Sequence, residues 1–158
     1  MSARLGIIVV SGTLDKVLPA FMLANTSASM GIETGMFFSF YGINVLHKER
    51  IKNLTLSTDG AIFFSSLNPG LKDLNTVELV GKTTEMIKEK FKSNKVPSVE
   101  DLIKQAIDLG VKIYPCNNAL KMFGIDSSEL FEGLENPVGA STFINFINSA
   151  EKSNVITF

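Results

Sequence analysis

"LGIIVVSGT", residues 5–13, decides the fold class, because it joins an uninterrupted apolar run to three turn-forming residues. A run of Val and Ile without polar alternation is typical of a strand that is covered on both faces. An apolar-rich segment, residues 14–30, follows and ends at Gly31, and GMFFSFYGI, residues 35–43, is a second apolar run. Strand, helix and strand at this spacing form a βαβ unit, so the sequence predicts a parallel sheet in an α/β fold.

Further segments extend this pattern along the chain. Three short apolar runs raise the predicted sheet to five mostly parallel strands, and they cover residues 61–64, 111–114 and 155–158. The spacing of Ser98 and Asp101 predicts a capped helix start. Helical patterns cover residues 83–92, 99–109, 117–123 and 140–150. No repeat or linker interrupts them, so residues 1–158 are predicted to form one domain with a variable insertion around 47–96.

Composition excludes several classes of function. The chain has 15 basic and 16 acidic residues, which argues against a broad phosphate-binding surface and so against a nucleic-acid partner. One cysteine and one histidine exclude a disulfide framework, a zinc site of several thiolates and a multi-histidine metal site, so we predict no metal and no cofactor. No apolar stretch approaches the roughly 18–20 residues of a membrane span, and the first residues lack the features of a signal peptide. We therefore expect a cytoplasmic protein.

A lysine-rich stretch, residues 82–95, holds five lysines and two glutamates. Two interpretations are open. The favoured one is the solvated face of an exposed helix, and the other is a docking surface for an acidic partner.

The cysteine lies in "KIYPCNNALKMFGI", residues 112–125, between a predicted strand and a predicted helix. In an open parallel sheet, ligands bind beyond the carboxyl ends of the strands. Amides at a helix start also favour the thiolate, which is the nucleophilic form of Cys116. This interpretation predicts an accessible sulfur at the edge of the sheet. The other interpretation is a buried cysteine that acts as a small hydrophobic residue, and position alone leaves both open.

Loops after the other strands should open at the same edge, because parallel strands share a direction. They are residues 11–13 and 40–42, and the predicted pocket around Cys116 has four candidate binding residues: Gly12, Thr13, Tyr41 and Asn117. The loop at 11–13 has hydroxyls and amides that suit an anion, but it lacks both GxGxxG and GxxxxGK[ST], so nucleotide binding is disfavoured. Nothing in the spacing supports a pair between Cys116 and His47, which we predict to be a surface histidine.

Three long stretches resemble a known family. They are IIVVSGTLDKVLPAFMLANTSASMG (7–31), FFSFYGINVL (37–46) and SVEDLIKQAIDLGVKIYPCNNALKMFGI (98–125). The chain resembles the DsrE/DsrF-like family, and within it the small DsrE-like proteins that are sometimes described as peroxiredoxin-like. The resemblance covers nearly the whole chain, and its most specific parts are residues 37–43 and 116–125.

The resemblance implies a three-layer α/β/α fold of the Rossmann or flavodoxin type, a homo-oligomer, and a function in sulfur trafficking. Cys116 matches the family's sulfur-binding cysteine, which accepts sulfane sulfur or thiosulfate and passes it to a partner thiol. The expected partners are a TusA-like sulfur carrier or a rhodanese-type donor protein, and a carrier is expected rather than a multiple-turnover sulfurtransferase. Asn117-Asn118-Ala119 and the polar segment 68–82 depart from the Met-rich, more apolar pattern of the family, which leaves the preference for substrate and partner open.

Two other classes of function stay open from the sequence. One is a small-molecule or nucleotide-binding α/β module, and the other is a non-catalytic subunit of a hetero-oligomer. In both, Cys116 has only a structural role.

Overall fold

The structure is a computed structural model that describes residues 3–71 and 73–158. Its strands are β1 (Ala3–Val9), β2 (Glu33–Phe38), β3 (Lys112–Pro115) and β4 (Lys152–Thr157). Its helices are α1 (Leu14–Ser29), α2 (Thr58–Ser66), α3 (Thr76–Ser93), α4 (Val99–Asp108), α5 (Asn117–Phe123) and α6 (Ala140–Asn148). Short 3₁₀ helices cover Phe40–Leu46, Arg50–Asn53, Pro69–Leu71 and Ser127–Glu129.

The sheet has the strand order β3-β2-β1-β4, and every neighbouring pair is parallel. The predicted βαβ unit at the start of the chain is therefore confirmed. Within the described residues the sheet has four strands, so the prediction of five is wrong. The supposed strand at 61–64 lies inside α2, which Ser57 caps by accepting a hydrogen bond of 3.0 Å from the Gly60 amide. A four-residue apolar run does not distinguish a short strand from a helix, and here the cap favours the helix.

Strand β2 is shorter than the apolar run that predicted it. Phe40 adopts a left-handed backbone with φ of 46°, which takes the chain out of the extended conformation directly after Ser39. The chain then turns tightly against β1, and a Cβ on Gly42 would lie 2.2 Å from the carbonyl oxygen of Val9. Only glycine fits at position 42. The apolar run at residues 35–43 is therefore not one strand but is divided between β2 and the 3₁₀ helix that follows it.

Helices cover both faces of the sheet. Helix α1 packs against α4, and α6 packs against β1 and β2. The right-handed rule for parallel crossovers predicts α1 and α4 on one face and α6 on the other, because the connection from β3 to β4 runs in the opposite direction across the sheet. Two paired glycines, Gly6 and Gly35, lie beneath α6. A Cβ on Gly35 would lie 2.5 Å from the Phe146 ring, so the absence of side chains lets α6 pack closely.

The predicted ends of several helices are confirmed. Ser98 and Asp101 form a capping box at the start of α4, and α5 ends at Gly124, which has φ of 59°. The segment between β2 and β3 is helical throughout its regular elements, with α2 packed against α3. Among residues 3–71 and 73–158, no helix combines the length and the apolar character that crossing a bilayer requires.

Candidate functional site

The carboxyl ends of β1, β2 and β3 meet at one edge of the sheet, as the parallel strands predicted. Val9 is in register with Phe38, and Phe38 with Pro115. The pairing continues one residue beyond the strands, because the Ser39 amide donates to the Val9 carbonyl (3.0 Å) and the Cys116 amide donates to the Phe38 carbonyl (2.9 Å). The loops that begin after these strands therefore share this edge.

Cys116 is fixed from two sides at this edge. On the side away from β2, it forms a parallel bridge with Val138. The Asn117 amide donates to the Val138 carbonyl (3.0 Å), and the Val138 amide donates to the Pro115 carbonyl (2.9 Å). Cys116 is 6% exposed, so the predicted accessible sulfur is wrong for this conformation of the chain. The local cause is that residues on both sides extend the sheet pairing past the end of β3.

A groove of about 350 Å³ opens beside the loop at 11–13. Three of the predicted binding residues line it, namely Gly12, Thr13 and Tyr41. The lining also includes Asn44, Arg50 and Asn53, which the sequence analysis did not single out. Neither Cys116 nor Asn117 is part of this lining. Asn117 is exposed, next to the buried cysteine. The structure thus brings three of the five predicted site residues together and leaves two outside the groove.

The loop at 11–13 has a structural role that limits what it can bind. A Cβ on Gly12 would lie 2.7 Å from the Tyr41 carbonyl oxygen, so glycine allows two backbones to approach closely. The Thr13 hydroxyl lies 3.0 Å from that of Ser11. The first amide of α1, that of Leu14, already donates to the Thr55 carbonyl (2.9 Å). One of the amides that an anion would need is therefore occupied.

Arg50 supplies the positive charge of the groove. Its guanidinium donates to the Asn44 side-chain oxygen (2.9 Å) and to the Phe123 carbonyl (3.4 Å). None of the ion pairs among the described residues involves Arg50. Phe123 ends α5, the helix that follows Cys116, and its ring centroid is 5.7 Å from that of Tyr41. No pattern in the sequence pointed to Arg50, because it lies where periodicity is weak.

His47 is buried rather than on the surface, so that prediction is wrong. Its Nδ1 atom accepts hydrogen bonds from the amides of Glu49 (3.1 Å) and Arg50 (3.3 Å). Its Nε2 atom is 3.5 Å from a carboxylate oxygen of Glu129. Both ring nitrogens are engaged in local structure, which leaves His47 without a free nitrogen to act as a base for Cys116. In the described part of the chain, no group of three or more His, Cys, Asp and Glu side chains is arranged to hold a metal ion.

Comparison with known proteins identifies the family. A model of the DsrE/DsrF/DrsH-like family matches residues 1–158. The chain belongs to this family. Among DsrE-like relatives, it is 31% identical over 160 residues to the "Sulfur carrier protein DsrE2" of Allochromatium vinosum, and the match covers 94% of each chain. It is 28% identical to the uncharacterised protein YrkE of Bacillus subtilis, with 84% of each chain covered.

Solved structures agree with the family's fold. The chain is similar to ychN protein from E. coli with a TM-score of 0.61 and 10% identity, over all of both chains. It is also similar to MTH1491, a protein of unknown function from Methanobacterium thermoautotrophicum, with a TM-score of 0.57 and 14% identity over all of both chains. At these identities the likeness concerns the DsrE-like α/β fold alone.

Proposed function

We propose that this protein is a sulfur carrier in which Cys116 holds sulfane sulfur or thiosulfate and passes it to a thiol on a partner protein. The observation that carries the proposal is the 31% identity, over 94% of both chains, to a protein named as a sulfur carrier. Cys116 is the one cysteine of the sequence, so the thiol that removes the sulfur must come from another molecule. Its position at the carboxyl edge of a parallel sheet, where α/β proteins bind ligands, also supports the role.

The loading step is a thiol–disulfide type of exchange. The Cys116 thiolate attacks the outer sulfur of a donor persulfide, the donor S–S bond breaks, and the donor leaves as a thiolate with the electron pair. A new S–S bond then holds the transferred atom on Cys116 as a persulfide. In the unloading step a partner thiolate attacks that outer sulfur and Cys116 returns to a thiolate. No external oxidant or reductant is needed for either step.

Burial of Cys116 imposes a condition on this chemistry. At 6% exposure, the sulfur is reached by a donor only when its surroundings open. The segment at 135–138 borders β3 and is held there by main-chain hydrogen bonds, including one of 2.9 Å from the Glu135 amide to the Ile113 carbonyl. Such a segment, which lies outside the regular elements, opens at a lower free energy than the central strands. We propose that its transient opening, or its displacement by the partner, exposes the thiol.

The proposal is tested by loading the protein with tetrathionate and measuring its intact mass. The Cys116 thiolate attacks an inner sulfur, the central S–S bond breaks, thiosulfate leaves, and a second thiosulfate group stays bound through a new S–S bond. We expect one adduct per chain, removed by a thiol reductant, and none on the Cys116→Ser variant. The wild-type protein staying unmodified over hours, or an equal adduct on the variant, contradicts the proposal.

A second candidate is a small-molecule binding module in which Cys116 only packs. The groove that contains Arg50, Thr13 and Tyr41 favours it, because it lies at the ligand-binding edge without including the cysteine. A native thiol that forms no tetrathionate adduct, together with a rise in melting temperature on addition of a nucleotide or a small anion, supports this candidate over the carrier. The reverse pair of results supports the carrier.

For its partners, we propose a TusA-like carrier or a rhodanese-type donor, in the cytoplasm, and a homo-oligomer of the chain itself. Exposed apolar side chains support self-association: Ile62 and Phe63 on α2 and Leu67 directly after it are all more than half exposed, as is Val77 on α3. Light scattering after size exclusion, alone and with each partner class, separates a homo-oligomer from a subunit that assembles only with a different chain.

A further inference from the structure

We propose that a second groove, between the start of α1, the end of α3 and the start of α4, binds a small amphipathic anion, an aliphatic chain that ends in a carboxylate or phosphate. The groove has a volume of about 630 Å³, within the range of roughly 300–1,000 Å³ that is usual for small-molecule sites. Cys116 does not line it, and neither do Gly12, Thr13 and Tyr41. The inference is therefore independent of the proposed sulfur transfer.

The floor of the groove is apolar. It is formed by side chains from four separate segments, namely Leu14, Leu18, Ile51, Phe91, Val96 and Val99. Four of them, Leu14, Leu18, Ile51 and Val99, are between 6% and 7% exposed and belong to the hydrophobic core of the protein. The accessible apolar area comes mainly from the other two, since Phe91 is half-buried and Val96 is 36% exposed. An aliphatic chain that covers these two side chains is favoured in proportion to the area covered.

The rim of the groove is mainly basic. Lys88 and Lys92 are four residues apart on α3 and so lie on the same face of the helix, and Lys95 follows the C-cap residue of α3. Lys52, in the 3₁₀ helix Arg50–Asn53, also lines the groove, and Glu49 already holds its ammonium group at 2.8 Å. Among the described residues, none of the ion pairs involves Lys88, Lys92 or Lys95. An anionic head group therefore finds three ammonium groups that no carboxylate neutralises by direct contact.

Lys95 occupies a position where glycine is usual. It follows the C-cap of α3 with φ of 55°, and the Val96 amide closes the turn by donating to the Phe91 carbonyl (2.9 Å). A lysine in this left-handed conformation is less favourable than glycine. Lysines near the end of α3 also interact favourably with the helix dipole. The dipole explains why positive charge lies there, but not why the lysines line an apolar groove.

Two carboxylates, those of Glu100 and Asp101, also line the groove and weaken its attraction for an anion. Asp101 is committed to the α4 cap, since its oxygen accepts from the Ser98 hydroxyl (2.6 Å) and amide (3.1 Å). Glu100 is the other acid of the lining, so two carboxylates stand against the three lysines that lack an ion pair and against Lys52, which Glu49 already pairs. The groove also reaches the first turn of α4, where helix geometry adds partial positive charge. The lining as a whole therefore favours an anionic over a cationic head group.

One short element separates the two grooves. In the 3₁₀ helix Arg50–Asn53, the first and last residues line the smaller groove, while Ile51 and Lys52 line the larger one. Chemical-shift changes at Arg50 and Asn53 therefore indicate binding in the smaller groove, and changes at Ile51 and Lys52 indicate binding in the larger one.

The test is titration of the full chain with octanoate, followed by isothermal calorimetry and by amide chemical shifts. Octyl phosphate is the second arm, and it separates a phosphate from a carboxylate head group. Butyrate tests the need for the chain, and octylammonium tests the sign of the charge. We expect octanoate or octyl phosphate to bind with shifts centred on Val96 and Val99, and octylammonium and butyrate to bind at least ~10-fold more weakly.

Charge variants locate the site. Replacing Lys88, Lys92 and Lys95 together with glutamine is expected to weaken octanoate binding ~10-fold, since each exposed charge contributes modestly. The matched control is Lys90→Gln on the same helix, because Lys90 lies over the Phe64 ring and does not line the groove. Equal binding by both variants, shifts centred on Thr13 and Tyr41 instead, or the absence of binding at millimolar octanoate and octyl phosphate overturns the inference.

Discussion

The backbone amide of Cys116 donates a 2.9 Å hydrogen bond to the carbonyl oxygen of Phe38, so the cysteine is held as an extension of the β3–β2 ladder. Val138 forms a bridge to Cys116 on its other side, so the cysteine lies between the end of β2 and the segment that contains Val138. This relationship explains how a residue at a functional edge of the sheet is also buried. Access to the Cys116 thiol therefore depends on whether residues 135–138 stay in place.

Alkylation of Cys116 should therefore depend on the stability of residues 135–138. We expect iodoacetamide to react with the native protein at least ~10-fold more slowly than with the unfolded chain, because reaction requires local opening. Val138→Gly should speed native alkylation several-fold, since glycine favours the open segment. Val155→Gly, the same change on the opposite edge strand, is the matched control. Equal rates for the two variants would contradict opening at 135–138.

Asp15 should make the stability of the fold depend on acid pH. Burial acts to raise the pKa of Asp15, but hydrogen bonds from the Ser57 hydroxyl (2.6 Å) and amide (2.8 Å) hold it below its ordinary value. Because the pKa of Asp15 is lower in the folded than in the unfolded chain, its ionised carboxylate stabilises the fold fully above the unfolded-state pKa of about 4. This stabilisation is lost as the pH falls through the folded-state pKa. Asp15→Asn should cost about 1–2 kcal/mol at pH 7 and progressively less below pH 4.

Urea unfolding at several pH values measures this difference. Asp108→Asn, at an exposed position, is the control for the loss of a carboxylate. A penalty for Asp15→Asn that stays constant down to pH 2 would show that the charge of Asp15 is not what Ser57 stabilises.

Two glycine-to-alanine changes should have opposite effects. Gly42→Ala places a Cβ 2.2 Å from the Val9 carbonyl oxygen, and we expect a loss of at least about 2 kcal/mol because both partners are backbone. Gly81 lies within α3 with open space around it, so Gly81→Ala should add about 0.5–1 kcal/mol through helix propensity. Chemical unfolding of both variants checks the pair. Tolerance of alanine at 42 would mean that the β1 end and the 3₁₀ helix are not in close contact.

Phe40 should be a strained residue beside the candidate site. It is 54% exposed and has φ of 46°, a conformation that costs a non-glycine residue about 1–2 kcal/mol. Phe40→Gly is expected to raise the free energy of unfolding by about 1 kcal/mol, because strain is relieved and little buried area is lost. Lys95→Gly, at the other left-handed residue, is a matched comparison. A loss of stability at both positions would show that the side chains contribute more than the backbone strain removes.

Much of the fold was predictable because its signals are local. The Ser98–Asp101 cap, the glycine that ends α5 and the apolar runs of β1 and β3 each depend on residues a few positions apart, and the structure confirms them. The failure at 61–64 has the same origin. Four apolar residues suit a strand or a helix equally, and the choice followed from Ser57, whose hydroxyl also contacts Asp15 more than forty positions earlier.

The candidate site was predictable in its location and not in its composition. Parallel strands place residues 11–13, 40–42 and 116 at one edge whatever the details of packing, since their carboxyl ends share a direction. Whether Cys116 is covered, whether Arg50 reaches the groove and whether His47 is free depend on contacts with Val138, Phe123 and Glu129. Those partners lie far along the chain from the residues they contact, or follow in loops without periodicity. Periodicity therefore carries the order of strands and helices, while burial and charge at the site arise from close packing between distant segments, which no local pattern encodes.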